Sequence, residues 1–373
     1  MSAQTNDELV FELALNLVPK IGPGLYRNII AYTGSARAFF EIPSGKLAKV
    51  PRVGKKLIEY RKSADQFIKD AEEIIIACRK KNIRILPFSD PEFPKRLKVL
   101  DDSPMILYIR GNVNLNPERS IGIVGTRNAT EYGKSITKKI VEELSSFQPC
   151  IISGLAYGVD IEAHKAALQS NLPTIGVLGS SVHQIYPSIH KSTAEQMFEI
   201  GGLISEYPPG TEMHPGNFPQ RNRIIAALSD AIIVVEAAKK GGALITAEIA
   251  YSYNKEVFAV PGNLLSSYSE GCNNLIKQLK ASIYTGVKDI EDALSWKKEG
   301  NGTSNKKIEL DLSQFEGEEK VILQLLLDKK ELEIDQLATQ LELPLSTLAS
   351  KLLALEFQGL LKSLPGKKYR LLV

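Results

Sequence analysis

From Ser120 to about Trp296 the chain alternates short, nearly continuous apolar runs with longer stretches of helical period. The apolar runs are SIGIVG (120–125), CIISG (150–154), TIGVLG (174–179), GLISEY (202–207), AIIVVEA (231–237) and EVFAVPG (256–262). None alternates apolar with polar, so each predicts a strand covered on both faces. Segments such as KSITKKIVEELSSF (134–147) lie between most of them and predict helices. Buried strands separated by helices predict an α/β fold, a doubly wound, Rossmann-like parallel sheet.

The flanks have a different pattern. Residues 1–82 predict short helices of a helix-hairpin-helix or SAM-like kind. Two segments there look alike, LVPKIGPGLYRNII (17–30) and LAKVPRVGKKLIEY (47–60). Each runs apolar residue, Pro, basic residue, apolar residue, Gly and then a helix. They resemble the helix-hairpin-helix, whose Gly-containing hairpin offers backbone N–H groups to a DNA phosphate. Gly22 and Gly24 fit that motif; Gly54 followed by Lys55 and Lys56 departs from it. A small helical domain with Gly at its helix ends and no DNA contact accounts for the pattern equally well. A helix follows over 64–81, and 87–111 reads as a loop leading into an edge strand. Residues 297–316 are polar and read as a linker. From 317 to 373 the pattern is three helices (318–329, 333–342 and 345–360) and a hairpin closed by Pro365-Gly366, a winged helix-turn-helix. Asp335 and Ser346 stand where N-caps are wanted. The core domain thus spans 83–296.

Composition narrows the classes. The 373 residues carry a formal net charge of +3, so a nucleic-acid partner needs local basic clusters. Cys78, Cys150 and Cys272 are far apart and suggest neither disulfides nor a zinc site. The first residues lack the basic start of a signal peptide, and no apolar run approaches the ~20 residues needed to span a bilayer. A cytoplasmic protein without a membrane partner is expected.

In a doubly wound sheet, ligands bind where the strands end. GIVGTRNATEYGK offers a glycine turn, a helix start and Arg127, a bidentate phosphate donor, but not GxGxxG. SGLAYGVDIEAH (153–164) brings Ser153, Gly154 and Gly158 ahead of a helix capped by Asp160; His164 inside that helix reads as structural. HPGNFPQRNRIIAALSD (214–230) offers the Phe218 ring beside Arg221, Asn222 and Arg223. An aromatic among cations is the usual equipment for single-stranded nucleic acid. The alternative is that one of these arginines, Arg223 before Arg221, pairs with Asp230 or Glu206. EAAKKGGALITAEIA (236–250) adds Lys240, Gly242, Ala243 and Thr246 at a helix start. A Walker A motif, a spaced catalytic triad and a metal cluster are not found, so the loops are expected to grip phosphate rather than carry catalytic or metal-binding residues, and no cofactor is expected.

With VGTRNATEYG, SGLAYGVDIEAHKAAL, VLGSSVHQIYP, ISEYPPGT, FPQRNRIIAALSDAIIVVEA, GGALITAEIA, FAVPGN and GCNNLIK in this order, the chain resembles the DNA-processing protein A family (DprA, also called Smf) in its three-domain form. The resemblance implies a non-enzymatic protein that binds single-stranded DNA, protects it during natural transformation and helps load the recombinase RecA. It also implies a homodimer formed through the later helices of the Rossmann core, near 271–281. It carries binding roles onto Thr126, Arg127, Ser153, Gly154, Phe218, Arg221, Asn222, Arg223, Gly242, Ala243 and Thr246, to which the glycine turn and the basic loop add Gly125 and Lys240. Two rivals stand. KGGALITAE partly resembles the PGGxGTxxE signature of nucleoside-monophosphate phosphoribohydrolases, but lacks the Gly-Thr. A duplex-specific transcription factor would rest on the winged helix. Its third helix carries only Lys351 and Glu356 among leucines and small residues, so a protein-contact or accessory role is expected instead.

Overall fold

A computed structural model describes residues 3–297, 315, 317–329, 331–341, 343–358, 360–364 and 368–371. They fall into two compact units, Met1–Glu299 and Gly300–Val373. Most of the expected linker, 298–314 and 316, lies outside the described residues.

The first unit opens with helices α1 (Ala3–Leu17), α2 (Pro23–Thr33), α3 (Ala36–Glu41), α4 (Ser44–Leu47), α5 (Lys55–Tyr60) and α6 (Ala64–Lys80). Their own core includes Leu15, Tyr26, Ile29, Phe39, Leu47 and Leu57. The two look-alike segments form the same hairpin. Lys20 (φ 69°) and Arg52 (φ 70°) take left-handed backbone, and Gly22 and Gly54 precede α2 and α5 with extended backbone.

Next come β1 (Arg84–Pro87), α7 (Lys95–Lys98), β2 (Ile106–Gly111), β3 (Ser120–Val124), α8 (Glu131–Leu144), β4 (Cys150–Ser153), α9 (Val159–Gln169) and β5 (Thr174–Val177). They are followed by α10 (Lys191–Met197), β6 (Gly202–Ser205), α11 (Asn217–Leu228), β7 (Ala231–Val234), α12 (Gly242–Ser252), β8 (Glu256–Ala259), α13 (Glu270–Lys277), β9 (Ser282–Ile283) and α14 (Val287–Leu294). The strands form one sheet in the order β1-β2-β6-β5-β4-β3-β7-β8-β9. β6 to β9 in this order are mutually parallel, whereas β1–β2 and β2–β6 are antiparallel. All six apolar runs are strands. The expected edge strand, β2, lies inside the sheet, because the segment 84–87 pairs with it as β1 and takes the edge.

Both faces are covered, as unalternating strands require. Ile121, Ile123 and Ile233 pack on one face with Ile140, Val141 and Ala163 of α8 and α9. Val124, Ile232 and Val234 pack on the other with α11 and α12. A third core joins the helical segment to the sheet: Leu13, Ala71 and Ile75 meet Ile106, Tyr108 and Leu203. The three cysteines are buried and free. No helix among the described residues is long and apolar enough to cross a membrane.

The second unit is a winged helix: α15 (Gly317–Lys329), β10 (Glu331–Glu333), α16 (Ile334–Leu341), α17 (Leu345–Phe357), β11 (Leu361–Leu364) and β12 (Lys368–Leu371). Its sheet runs β10-β12-β11, one strand more than the expected hairpin. Asp335 and Ser346 are second residues of their helices, not caps; Pro344 precedes α17.

Candidate nucleic-acid interface

The strand order reverses between β3 and β7, and loops leaving adjacent strands at such a point diverge to opposite faces and open a crevice. A cavity of about 830 Å³ fills it. The β3 loop is its floor, the first turns of α11 one wall and the start of α12 the other. Gly125, Thr126, Arg127, Phe218, Arg221, Asn222, Lys240, Gly242, Ala243 and Thr246 all line it. Ser153, Gly154 and Arg223 do not.

The floor is fixed by backbone. The Thr126 amide donates to the Glu236 carbonyl at 2.7 Å, and the Val159 amide to the Thr126 carbonyl at 3.2 Å. Glu236, a buried acid just beyond an apolar strand, accepts from the Thr130 amide (2.9 Å) and hydroxyl (2.6 Å) and holds the start of α8. Gly158 takes φ +76°, and a Cβ there would stand 2.2 Å from the Thr126 carbonyl oxygen. Only glycine lets the two loops approach this closely.

On this floor Arg127 is exposed, with no hydrogen-bond or ion-pair partner among the described residues, and its guanidinium lies 5.9 Å from the centre of the Phe218 ring. That is cation–π range, and it keeps both groups turned to the cavity. Lys240 is also exposed and without an ion-pair partner among the described residues, whereas Lys239 lies 3.6 Å from Glu270. Asn222 reaches across to the Gly242 carbonyl at 3.3 Å and ties the two walls together. Thr246 spends its hydroxyl on that carbonyl, at 3.2 Å, so it shapes the helix start rather than offering a free donor.

Arg221 is buried rather than presented. It bonds the Val177 carbonyl and faces Asp160 at 3.6 Å, while its Nε has no partner among the described residues. Burial pushes the Asp160 carboxyl up, and Arg221 opposes that shift. Asp160 is therefore the counter-ion of Arg221 and not a helix cap; Gly158 holds the cap position of α9. Gly154 makes room for the pair, since a Cβ there would fall 2.1 Å from the guanidinium nitrogens. Ser153 is buried and donates to the Ile123 carbonyl at 2.6 Å. Arg223 points away from the cavity and pairs with Glu206; Asp230, the alternative acid for it, is taken by Arg96 at 2.8 Å. His164 is buried, bonded to the Gly154 carbonyl and the Thr174 hydroxyl, and burial pushes it down to about 4.

A smaller cavity of about 90 Å³ shares Arg127, Phe218 and Arg221 with the first and is rimmed by Tyr157 and Tyr186. Tyr186 lies 6.1 Å from Phe218, ring to ring. Neither tyrosine stands out in the sequence, where a lone Tyr in a loop carries no signal. The Asp160–Arg221 pair bridges two distant loops and leaves no spacing to read, whereas an acid ending an apolar strand, Glu236, does. The carboxylates lining the large cavity are both engaged, Asp160 by Arg221 and Glu248 by Lys280 at 2.7 Å. What faces the space is donors and a ring. No group of His, Cys, Asp and Glu among the described residues is placed to hold a metal ion.

In the winged helix, Lys351 of α17 pairs with Glu318 at 3.1 Å. Glu356 accepts from the amide and hydroxyl of Ser363, which lowers its carboxyl. Lys368 of the wing lies 3.8 Å from Glu331. Both charged residues of the helix that would enter a groove are thus engaged within the unit.

Residues 84–295 match the family model for DNA recombination-mediator protein A, and 311–367 match that for the DprA winged helix domain. DNA processing protein DprA of Bacillus subtilis is 36% identical over 252 residues, which cover 67% of this chain and 85% of that protein. Protein Smf of Synechocystis is 36% identical over 279 residues, 73% of this chain and 69% of that one. The crystal structure of DprA from Streptococcus pneumoniae superposes with a TM-score of 0.65 at 27% identity, covering 78% of this chain and 99% of that one. DNA processing protein A of Helicobacter pylori, described for its single-stranded DNA binding mode, superposes with a TM-score of 0.52 at 31% identity, covering 58% and 97%. With more than half its length matched, and its winged helix matched as well, the chain belongs to the DNA recombination-mediator protein A family, the DNA-processing proteins called DprA or Smf.

Proposed function

We propose that the cavity at the β3/β7 switch point holds single-stranded DNA, and that the chain protects such strands and helps load RecA on them during natural transformation. The observation that carries this is the exposed Arg127, unpaired among the described residues, beside Phe218 at the mouth of a cavity of about 830 Å³, with Lys240 opposite. Cations spaced about a ring can follow phosphates while a base stacks. The single-strand binding described for the H. pylori relative supports the reading. Leu264, Leu265 and Leu279, 90%, 95% and 85% exposed beside α13, support self-association of the core into a homodimer. The test is binding of labelled oligo-dT against duplex across a salt series, followed by RecA filament formation on a strand already coated by a single-strand-binding protein. An oligo-dT affinity that ignores salt, or that is unchanged in Arg127→Ala, refutes the first half; no gain in filament formation refutes the second.

A further inference from the structure

The family model begins at residue 84, and nothing in the cavity involves the helices before it. Within 46–62 lie Lys46, Lys49, Arg52, Lys55, Lys56, Arg61 and Lys62 against a single acid, Glu59. All but Arg61 are exposed, and none of the exposed six has an ion-pair partner among the described residues. Other exposed cations on this unit are matched: Lys138 with Glu142, Lys139 with Glu143, Lys165 with Glu162 and Lys191 with Glu195. Lys55 and Lys56 also open α5, the end of a helix that disfavours cations, so helix stability does not call for them. A concentrated positive surface that the protein leaves uncompensated fits a polyanion.

Two properties decide which polyanion. Arg52 stands at the tip of the second hairpin on left-handed backbone, with Val53 and Leu57 anchored in the helical core beneath, so the charges ride on a rigid frame. The stretch presents no exposed aromatic: Tyr60 is half-buried and packs against the same core. Single strands are held by stacking as well as by charge. Charge without stacking suits a backbone whose bases are already paired, which is contacted at its phosphates regardless of sequence. We propose that the surface formed by Lys46, Lys49, Arg52, Lys55, Lys56 and Lys62 binds the phosphate backbone of duplex DNA, as a site separate from the strand-end cavity.

The test uses the full chain, with Arg52→Ala/Lys55→Ala/Lys56→Ala compared with the parent and with Arg127→Ala, on a short duplex and on oligo-dT. The triple variant is expected to bind duplex about tenfold more weakly at low salt. Its plot of log affinity against log salt should be shallower by about 2 to 3, as removing three cations from the phosphates requires. Its oligo-dT affinity should stay at the parent value. Unchanged duplex affinity and slope in a folded variant overturns the proposal. Equal weakening on duplex and oligo-dT also overturns it, because the surface would then serve single strands. Arg127→Ala separates the two sites: if it leaves oligo-dT binding intact, the reading of the cavity fails while this one stands.

Discussion

The guanidinium of Arg127 and the ring of Phe218 face each other across 5.9 Å at the mouth of the cavity. On the proposed reading the two groups hold one strand through different physics, so their variants should separate. Arg127→Ala should weaken oligo-dT binding and flatten its salt dependence by about 0.7 for each phosphate that the arginine neutralises. Phe218→Ala should cost about 1–3 kcal/mol and leave the slope alone. Fluorescence anisotropy at several salt concentrations checks both; identical slope changes in the two variants would contradict the assignment.

Arg223 lies two residues after Arg221, but its partner is Glu206. Arg223→Ala should cost stability, about 2 kcal/mol, because Glu206 is left nearly buried and unpaired. Oligo-dT affinity per folded molecule should not change. Denaturant melts beside binding curves decide this, and a binding defect in a fully folded variant would put Arg223 back among the residues that touch DNA.

The pair Arg221–Asp160 has the opposite signature. Asp160→Ala strands a buried guanidinium and should cost about 3–5 kcal/mol. Gly154→Ala should be similarly harmful, since its methyl meets the Arg221 nitrogens at 2.1 Å. Both variants should show lowered thermal midpoints, and a midpoint equal to the parent's in either would mean that the pair is not under the constraint described.

Two buried groups set opposing pH dependences. Burial pushes Glu12 up from 4.5 to about 7, so its protonated form is favoured by folding and its contribution fades as pH rises through that window. Burial pushes His164 down from 6.5 to about 4, so its contribution is full above pH 6.5 and fades as pH falls. Where the windows overlap the two slopes oppose each other. Glu12→Gln should remove the first slope, raise stability at pH 8 by about 3 kcal/mol, and expose a steady loss of stability below pH 6.5. Calorimetry from pH 4 to 8 measures this; parallel profiles for parent and variant would contradict it.

If the exposed leucines beside α13 pair two chains, Leu264→Asp/Leu265→Asp should halve the mass measured by light scattering at micromolar concentration without lowering the thermal midpoint of the monomer. A parent that already runs at monomer mass would rule out that pairing.

The sheet could be read from the sequence because a strand buried on both faces needs an unbroken apolar run, and β3 to β8 each have one. β1 and β9 could not: Arg84–Pro87 and Ser282–Ile283 are short edge pieces with little to bury. β10 hides because Glu331 and Glu333 sit in it as polar residues on a small exposed sheet. In the site, residue types and loops were legible, but the direction of each side chain was not. Arg221 and Arg223 look interchangeable in FPQRNR, yet the first is buried against Asp160 and the second against Glu206. Ser153 and Gly154, expected to touch the ligand, act from beneath by anchoring a strand and leaving space.

β3 and β7 are hydrogen-bonded neighbours, though the Ser120 amide and its Asp230 partner are separated by 110 residues of chain. Arg127 emerges early from the ribosome, whereas Phe218 and Lys240 emerge late. The crevice is complete only when β7 has paired with β3 and α12 has packed beside it. A long loop must close first, which slows folding. A chain cut between α8 and α11 would carry the Arg127 floor without either wall.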